Sequence, residues 1–282
     1  MKKIVVTGGS GKAGAAAIRE LTEQGYDVVN IDVRPPEERL APFEQVDLTD
    51  YGMTVAALVG ADAIVHMAAN PKPDDTLVEG ASRFYGNTIS TYNIFNAASL
   101  LGIKRVVWAS SETALGLPFV DPPPQYAPLD EEHTYPNSSY ALSKVVSEEM
   151  ARQFHRWSGT SFVGLRFSNI MRGAKGDYER FTSFWNDAHS RKWNLWGYVD
   201  DRDVAQACRK GVEADFEGAE AVIIAAGDTV MTRPSRDLMA EVYPDTPIRE
   251  LTHEHGTLLS NEKAKQVIGY EPQHSWREFL TI

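Results

Sequence analysis

The chain has 282 residues, of which 43% are hydrophobic, 24% are charged and one is a cysteine. This composition is typical of a globular protein with one large domain or two unequal ones, and it excludes disordered, collagen-like and disulfide-stapled classes. The net charge of −11 opposes the phosphate backbone of nucleic acids and anionic membrane surfaces. We therefore expect no nucleic acid and no membrane as partner.

The location of the protein is predicted from its single cysteine and its apolar runs. Cys208 has no second cysteine to pair with, so no intrachain disulfide can form and an oxidising compartment is not required. The first apolar run ends at Thr7 and is too short for a secretory signal. No run approaches the ~20 apolar residues of a membrane span, and the mean hydropathy is −0.33. We expect a soluble, cytoplasmic protein.

Short β-branched runs alternate along the chain with longer helical patterns. Strands are predicted at residues 3–7, 27–32, 63–67, 105–110 and 161–167, and helices at about 12–24, 50–59, 80–101 and 138–157. Such alternation is typical of βαβ units that build a parallel sheet covered by helices on both faces. The sequence therefore predicts an α/β fold with a Rossmann-type, doubly wound parallel sheet.

The regular alternation weakens after residue 168. A helix near 201–213 and a strand near 220–226 are the clearest later elements, and six prolines within residues 118–136 predict a surface loop. Aromatic residues between 178 and 196 could form a core or a sugar-stacking surface. We expect a cofactor-binding domain over residues 1–168 and a smaller C-terminal substrate lobe over 169–282, between which the chain can cross.

A glycine-rich turn joins the first predicted strand to the first helix. Gly8, Gly11 and Gly14 have the spacing at which a tight turn lets backbone amides approach a pyrophosphate at the start of a helix. A plain strand-to-helix connection is the alternative. The strand before the turn and the helix after it favour a dinucleotide site, which would include Ser10, Lys12 and Ala13 as well.

The end of the second predicted strand indicates which dinucleotide is bound. Asp32 stands where a carboxylate accepts hydrogen bonds from the adenosine ribose and repels a 2′-phosphate. Arg34 and Lys12 could instead pair with a 2′-phosphate. We expect NAD rather than NADP, with Val33 and Arg34 beside the ribose.

Tyr140 and Lys144 are four residues apart in a predicted helix and so share one face. A tyrosine, with a reference pKa near ~10, needs a nearby positive charge to act as a base at neutral pH, and Lys144 could supply it. Ser111 follows the strand predicted at 105–110, at the sheet edge where ligands bind. A surface helix and a capping serine are the alternatives.

These motifs together resemble a known family, the extended short-chain dehydrogenase/reductases of the NAD-dependent epimerase/dehydratase type. The resemblance rests on Thr7-Gly8-x-x-Gly11-x-x-Gly14, Asp32, Asp47-Leu48, His66-Met67-Ala68-Ala69, Asn87, Ser111, Tyr140-x-x-x-Lys144 and Arg166-Phe167-Ser168-Asn169. It implies an enzyme whose catalytic residues are Ser111, Tyr140 and Lys144. It also implies a homodimer joined through the helices near 80–101 and 138–157.

The resemblance further implies which residues bind the cofactor. Asp47 and Leu48 would lie near the adenine, Met67, Ala68 and Ala69 near the ribose and phosphates, and Asn87 and Phe167 near the nicotinamide. Tyr140 and Lys144 would contact the cofactor as well. His66 is expected to be a packing or cofactor-side residue.

Within the family, the size and the segment 109–116 are most similar to uronate dehydrogenases. Those enzymes have Asn-His where this chain has Glu112-Thr113, and a carboxylate at 112 would repel an acidic substrate. Substrate contacts are expected from Ser111, Glu112, Thr113, Asn169, Arg172 and Arg191. The two arginines could bind an anionic group, or they could be solvated surface residues.

The predicted function is NAD-dependent transfer of hydride between a sugar or sugar-acid hydroxyl and nicotinamide. A nucleotide-sugar epimerase that holds NAD tightly and a non-catalytic dinucleotide sensor are the alternatives. A small, sugar-like substrate is expected because the cofactor domain takes up most of the chain. His253 and His255 lie in a polar segment without a further ligand, so no metal site is expected.

Overall fold

The fold is built on a seven-stranded sheet in which every neighbouring pair is parallel. A computed structural model describes residues 2–72, 76–119 and 122–280. The strands of this sheet are β1 (Lys3–Thr7), β2 (Asp27–Asp32), β3 (Phe43–Gln45), β4 (Ala63–His66), β5 (Arg105–Ser111), β6 (Ser161–Phe167) and β9 (Ala219–Ile224). They lie in the order β3-β2-β1-β4-β5-β6-β9. Two further strands, β7 (Ile170–Met171) and β8 (Val199–Asp200), form a separate two-stranded sheet. The predicted Rossmann-type fold is confirmed.

Helices cover both faces of the sheet. On one face α1 (Lys12–Glu23) packs beside α5 (Asp201–Glu213), and on the other α2 (Tyr51–Leu58) packs beside α3 (Leu77–Leu100), which packs against α4 (Ser139–Ser158). Because both faces are covered, the inner strands carry uninterrupted apolar runs, such as residues 4–6 in β1 and 63–65 in β4. The later helices are α6 (Ser235–Val242) and α7 (Glu262–Ile268). In the described ranges no helix is long and apolar enough to span a membrane.

The elements that the sequence analysis missed are short. Strand β3 has three residues at the sheet edge, and β7 and β8 have two each. So few residues carry no periodicity, and only tertiary pairing defines them as strands. Strand β5 also extends one residue further than predicted, so Ser111 is the last residue of the strand and does not follow it.

The aromatic residues between 178 and 198 form the core of the smaller lobe. Tyr178, Phe181, Trp196 and Tyr198 are fully buried, and the Phe181 ring lies 5.3 Å from the ring of Tyr198. The core alternative is therefore correct for Tyr178, Phe181 and Trp196, and Tyr198, just outside the predicted stretch, joins them. The described residues of the proline-rich segment form a loop without a helix, but this loop is only partly at the surface, because Phe119, Ala127 and Leu129 are buried in the same core. Residues 120 and 121 lie outside the described part.

The chain crosses between the two parts of the molecule. Strand β9 lies beyond residue 168 yet pairs with β6 in the large sheet, and α5 packs on α1. The C-terminal third therefore supplies one sheet strand and one covering helix in addition to the smaller lobe. The division at residue 168 stays a prediction.

Candidate functional site

The glycine-rich turn has the geometry of a phosphate cradle. Gly8 has a φ of +65°, and a Cβ on it would lie 2.5 Å from the Ala68 backbone nitrogen. A Cβ on Gly14 would lie 2.3 Å from the Gly8 carbonyl oxygen. Helix α1 begins at this turn with Gly11 as its N-cap and without a side-chain cap, so the turn presents backbone N–H groups to an anion. A dinucleotide pyrophosphate fits this cradle, which contains Ser10, Lys12 and Ala13.

Asp32 lies beside the turn at the end of β2. Its carboxylate accepts hydrogen bonds from the Ser10 and Arg34 backbone nitrogens, each at 3.1 Å. The exposed residues Val33 and Arg34 follow it. Lys12, which the sequence offered as a partner for a 2′-phosphate, instead donates to the Ile170 carbonyl at 2.8 Å. This bond ties the glycine turn to β7 and leaves the Lys12 side chain 39% exposed, so the pairing of Lys12 with a 2′-phosphate stays a prediction.

The next candidate cofactor residues follow β3. Leu48 is buried, and its carbonyl accepts a hydrogen bond of 2.8 Å from Asn93. Asp47 is exposed, and hydrogen bonds from the Thr49 backbone and hydroxyl hold its pKa below the usual range. A charged carboxylate therefore stands at this edge of the sheet. The contact of Asp47 and Leu48 with the adenine stays a prediction.

The segment after β4 passes close to the glycine turn. The Ala68 backbone nitrogen donates to Thr7 Oγ1 at 3.2 Å, and Ala68 and Ala69 are half-buried. Met67 differs from the expectation, because its side chain packs in the core 4.0 Å from the Cys208 sulfur. The Phe167 side chain lies in the same core. The side chains of Met67 and Phe167 thus pack in the core, and an approach of their backbone to the cofactor stays a prediction.

Two polar residues expected at the cofactor form hydrogen bonds within the protein, Asn87 with backbone groups and His66 with side-chain hydroxyls. Asn87 accepts a hydrogen bond of 2.8 Å from the Asn70 nitrogen and donates one of 3.2 Å to its carbonyl, so its amide fixes the segment after β4. His66 hydrogen-bonds Thr7 at 2.7 Å and Thr91 at 3.1 Å. Burial, with the charge of Lys144 adding, lowers the pKa of His66 to about 3. His66 is a neutral packing residue.

Ser111, Tyr140 and Lys144 come together at the carboxyl end of the sheet. Thr113 donates to the Ser111 hydroxyl from its backbone at 3.2 Å and its side chain at 3.0 Å, and Ser111 hydrogen-bonds the Tyr140 hydroxyl. Ser138 caps α4 and so fixes the turn that carries Tyr140. Lys144 Nζ donates to the Ala109 carbonyl at 2.8 Å and lies 5.4 Å from the Tyr140 ring centroid.

The electrostatics of this trio differ from the expectation. Burial raises the pKa of Tyr140 to about 12; the hydrogen bond with Ser111 opposes this shift and the charge of Glu112 adds to it. Burial also lowers the pKa of Lys144 to about 8, against the charge of Glu148. The expected lowering of the tyrosine pKa by Lys144 is therefore not found, and the trio by itself favours a neutral phenol.

Glu112 is enclosed by residues that the sequence analysis did not connect to it. Its side chain is 5% exposed, and its two oxygens accept hydrogen bonds from the Ser168 hydroxyl and from Asn194 Nδ2. Burial raises the pKa of Glu112 to about 7, while these two hydrogen bonds and the charge of Arg191 oppose the shift. Asn194 lies 82 residues away in the chain, so no local pattern could have indicated it.

The remaining candidate substrate residues are not equivalent. The Arg172 guanidinium is paired with Asp177 at 3.2 Å. Arg191 is 7% exposed and lies between the rings of Phe184 and Trp193, so its interpretation as a solvated surface arginine is wrong. Asn169 is half-buried, and its carbonyl accepts a hydrogen bond from Val199. No three histidine, cysteine, aspartate or glutamate side chains in residues 2–72, 76–119 and 122–280 are arranged to hold a metal.

The sequence matches a known family over most of its length. A family model described as the NAD dependent epimerase/dehydratase family matches residues 4–227. The chain belongs to this family. Members of this family are enzymes that use NAD. The expectation of an enzyme and the expectation of NAD as cofactor are therefore both confirmed.

Relatives within the family carry out more than one reaction. A UDP-glucose 4-epimerase of Rhizobium leguminosarum bv. trifolii is 25% identical over 98% of this chain and 94% of its own. An NAD-dependent glucose-6-phosphate dehydrogenase of Haloferax volcanii is 24% identical over 98% of this chain and 95% of its own. Epimerases therefore stand beside a dehydrogenase among the relatives of this chain.

Solved structures share the fold. The UDP-glucose 4-epimerase of Thermotoga maritima, with UDP-glucose, has a TM-score of 0.75 at 22% identity over 98% of this chain and 95% of its own. A short-chain dehydrogenase/reductase superfamily protein of Agrobacterium tumefaciens with bound NAD has a TM-score of 0.72 at 21% identity over 97% and 93%. At these identities the likeness establishes the fold alone.

Proposed function

We propose that this enzyme is an NAD-dependent epimerase that acts on a nucleotide sugar. The observation that carries the proposal is the cluster of Ser111, Tyr140 and Lys144 at the carboxyl end of the sheet, where the glycine turn also lies. A phenol, a hydroxyl and an ammonium at this edge suit proton exchange with a sugar hydroxyl. The UDP-glucose 4-epimerases among the relatives support the epimerase alternative better than the dehydrogenase predicted first.

The cofactor is held, in this proposal, by the turn and by Asp32. NAD, when bound, supplies the acceptor for the hydride that leaves the sugar carbon. The turn around Gly8 and Gly14 and the first amides of α1 bind the pyrophosphate. Only glycine lets the turn pack this closely against its own backbone and against Ala68, and this packing sets where the amides point. The Asp32 carboxylate accepts a hydrogen bond from the adenosine ribose.

The chemical step uses the trio. In its phenolate form Tyr140 takes the proton of the reacting hydroxyl, and Ser111, already hydrogen-bonded to Tyr140, holds the same substrate oxygen. Lys144 keeps two donors beyond its bond to Ala109, and these orient the cofactor ribose. In an epimerase the same cofactor, held by the glycine turn and Asp32, would supply the hydride again for the opposite face of the sugar carbon, and Tyr140 would give the proton back to the substrate oxygen.

A second candidate is a dehydrogenase of a free or phosphorylated sugar. The alignment with the Rhizobium epimerase runs over 315 positions, more than the 282 residues of this chain, so that relative has segments this chain lacks. The alignment with the Haloferax glucose-6-phosphate dehydrogenase runs over only 292 positions. The compact chain therefore favours a substrate without a nucleotide, which is the specific support for this candidate.

One experiment separates the candidates. Purified protein is incubated with NAD and a panel of nucleotide sugars, sugar phosphates, free sugars and uronates, while NADH absorbance and product stereochemistry are followed. Inverted sugar without NADH supports the epimerase, and net NADH supports the dehydrogenase. If no compound in the panel is converted although calorimetry shows that NAD binds, both enzymatic candidates are overturned and the non-catalytic sensor is left.

The expected homodimer belongs to this proposal as well. A groove of about 310 Å³ runs between α3 and α4 and is lined by apolar side chains that include Tyr92, Met150, Phe154 and Trp157. Trp157 is 61% exposed. The groove lies on the same two helices that the family resemblance places at a dimer interface. Its exposed apolar surface therefore supports a second copy of this chain as the occupant.

A further inference from the structure

Glu112 is a buried carboxyl next to the catalytic trio that the proposed mechanism leaves without a task. It follows Ser111 directly, and both of its oxygens accept hydrogen bonds, from Ser168 at the end of β6 and from Asn194. Ser168 and Asn194 are themselves buried. A buried carboxylate held this firmly keeps one position, so the electric field it exerts on its surroundings has a fixed direction.

The turn of residues 191–197 brings Asn194 to Glu112 at the expense of backbone strain. Leu195 and Trp196 have φ values of 53° and 56°, which side chains other than glycine rarely adopt, and both residues are fully buried. The Gly197 carbonyl accepts hydrogen bonds from Asn194 at 2.9 Å and from Arg191 at 3.0 Å. Strain kept in place by surrounding contacts is a feature of functional sites.

Several charged groups face this carboxyl and the phenol beside it. Helix α4 contributes the Tyr140 hydroxyl and the Lys144 ammonium, and the charge of Glu148 acts in turn on Lys144. The 191–197 turn contributes the Arg191 guanidinium, on which the charge of Arg180 also acts. Arg191 and the two hydrogen bonds favour the charged form of Glu112 against the cost of burial. The negative charge of Glu112 in turn disfavours the phenolate form of Tyr140.

We propose that Glu112 is a positioning residue for the acid–base step: its charge, held in place by Ser168 and Asn194, controls how readily the Tyr140 hydroxyl gives up its proton. The inference rests on the proposed function, in which Tyr140 exchanges a proton with the substrate. Ionised Glu112 keeps Tyr140 as a phenol that can donate to a carbonyl oxygen. Neutralising Glu112 makes it easier to form the phenolate, which accepts a proton from a hydroxyl.

The test is a titration of Tyr140 that needs no substrate. The NAD-loaded protein is labelled with tyrosine carrying ¹³C at the ring carbon that bears the hydroxyl, and the Tyr140 resonance is the one missing from Tyr140→Phe. We expect the phenolate fraction at a given pH to rise about tenfold in Glu112→Gln, a shift of about one pKa unit. It should stay near wild type in Glu112→Asp, which keeps the charge. Glu132→Gln, which removes an exposed carboxylate, is the matched control.

A folded Glu112→Gln protein whose Tyr140 titrates as in wild type overturns the inference. If Glu112→Gln does not fold, Glu112→Asn provides the second arm: it also removes the charge, so the pKa of Tyr140 should fall in the same direction. An unchanged titration there overturns the inference as well. In turnover, the pH profile of kcat should move to lower pH in Glu112→Gln, whereas a purely structural role lowers kcat equally at every pH. Failure of the proposed function is a different result: the wild-type protein would convert none of the sugars in the panel.

Discussion

Arg166 of β6 donates two hydrogen bonds to the Glu148 carboxylate of α4, at 2.9 and 2.8 Å, and the two side chains are only 4% and 5% exposed. The same carboxylate accepts a hydrogen bond of 2.6 Å from the Ser110 hydroxyl. Glu148 therefore joins α4, which carries Tyr140 and Lys144, to the strand that ends in Ser111. The relative position of the trio depends on this buried pair.

Glu148→Gln is expected to destabilise the protein strongly. Removing one partner leaves the Arg166 charge buried without its counter-ion, which costs about 3–5 kcal/mol. Denaturant unfolding of the purified variant measures the loss. Glu271→Gln is the matched control, because Glu271 pairs with Lys265 in solvent and such pairs contribute less than about 1 kcal/mol. Equal stabilities of the two variants would contradict this assignment.

Tyr140→Phe is expected to abolish turnover while leaving the cofactor site intact. The variant loses the hydroxyl that exchanges the proton, so kcat should fall by about 10²–10⁴-fold. NAD affinity, measured by calorimetry, should change little. Tyr26→Phe removes a hydroxyl that bonds Glu213 at the opposite end of the sheet and should keep full activity. Full turnover by Tyr140→Phe would refute the mechanism.

Gly14→Ala is expected to disrupt the cofactor cradle. Its Cβ would lie 2.3 Å from the Gly8 carbonyl oxygen, so the turn must move and NAD binding should be lost. Gly86→Ala in α3 is the control, since nothing lies within 4 Å of its Cβ. Alanine in a helix interior is favoured over glycine by roughly 0.5–1 kcal/mol, so that variant should be at least as stable as wild type. Thermal unfolding with and without NAD checks both; retained NAD affinity in Gly14→Ala would count against the cradle.

Asp32→Ala is expected to weaken NAD binding and to reduce the preference over NADP. The variant loses an acceptor for the ribose hydroxyls, and hydrogen bonds to charged groups contribute about 1.5–3 kcal/mol, which corresponds to roughly 10–100-fold in Kd. Asp27→Ala, at the exposed start of the same strand, should bind NAD normally. Calorimetric Kd values for NAD and NADP decide the outcome, and an unchanged ratio in Asp32→Ala would remove Asp32 from the site.

Trp157→Glu is expected to yield a monomer. A carboxylate in the apolar groove between α3 and α4 would be buried without a partner in a dimer. Light scattering after size exclusion gives the mass directly. Val59→Glu places the same charge at another exposed apolar position, away from the groove, and should leave the mass unchanged. A monomeric wild type would refute the interface outright.

The sequence by itself determined the elements with strong local signals. The apolar runs of β1 and β4 and the glycine spacing at residues 8, 11 and 14 follow from chain periodicity and from backbone conformations that only glycine tolerates. The Tyr140–Lys144 pair follows from helix geometry. These features sufficed for the Rossmann-type sheet, for the family and for the trio.

Only the tertiary structure decided what surrounds these residues. Met67 and Asn87 belong to the motifs that carry the family resemblance, yet the Met67 side chain packs in the core and the Asn87 amide holds the Asn70 backbone. Glu112 accepts a hydrogen bond from Asn194, which is 82 residues away in the sequence. The turn that carries Asn194 has a strained backbone that no local propensity predicts. Burial and partners distant in sequence set the ionisation of a side chain, and both arise from packing, which the order of residues along the chain does not reveal.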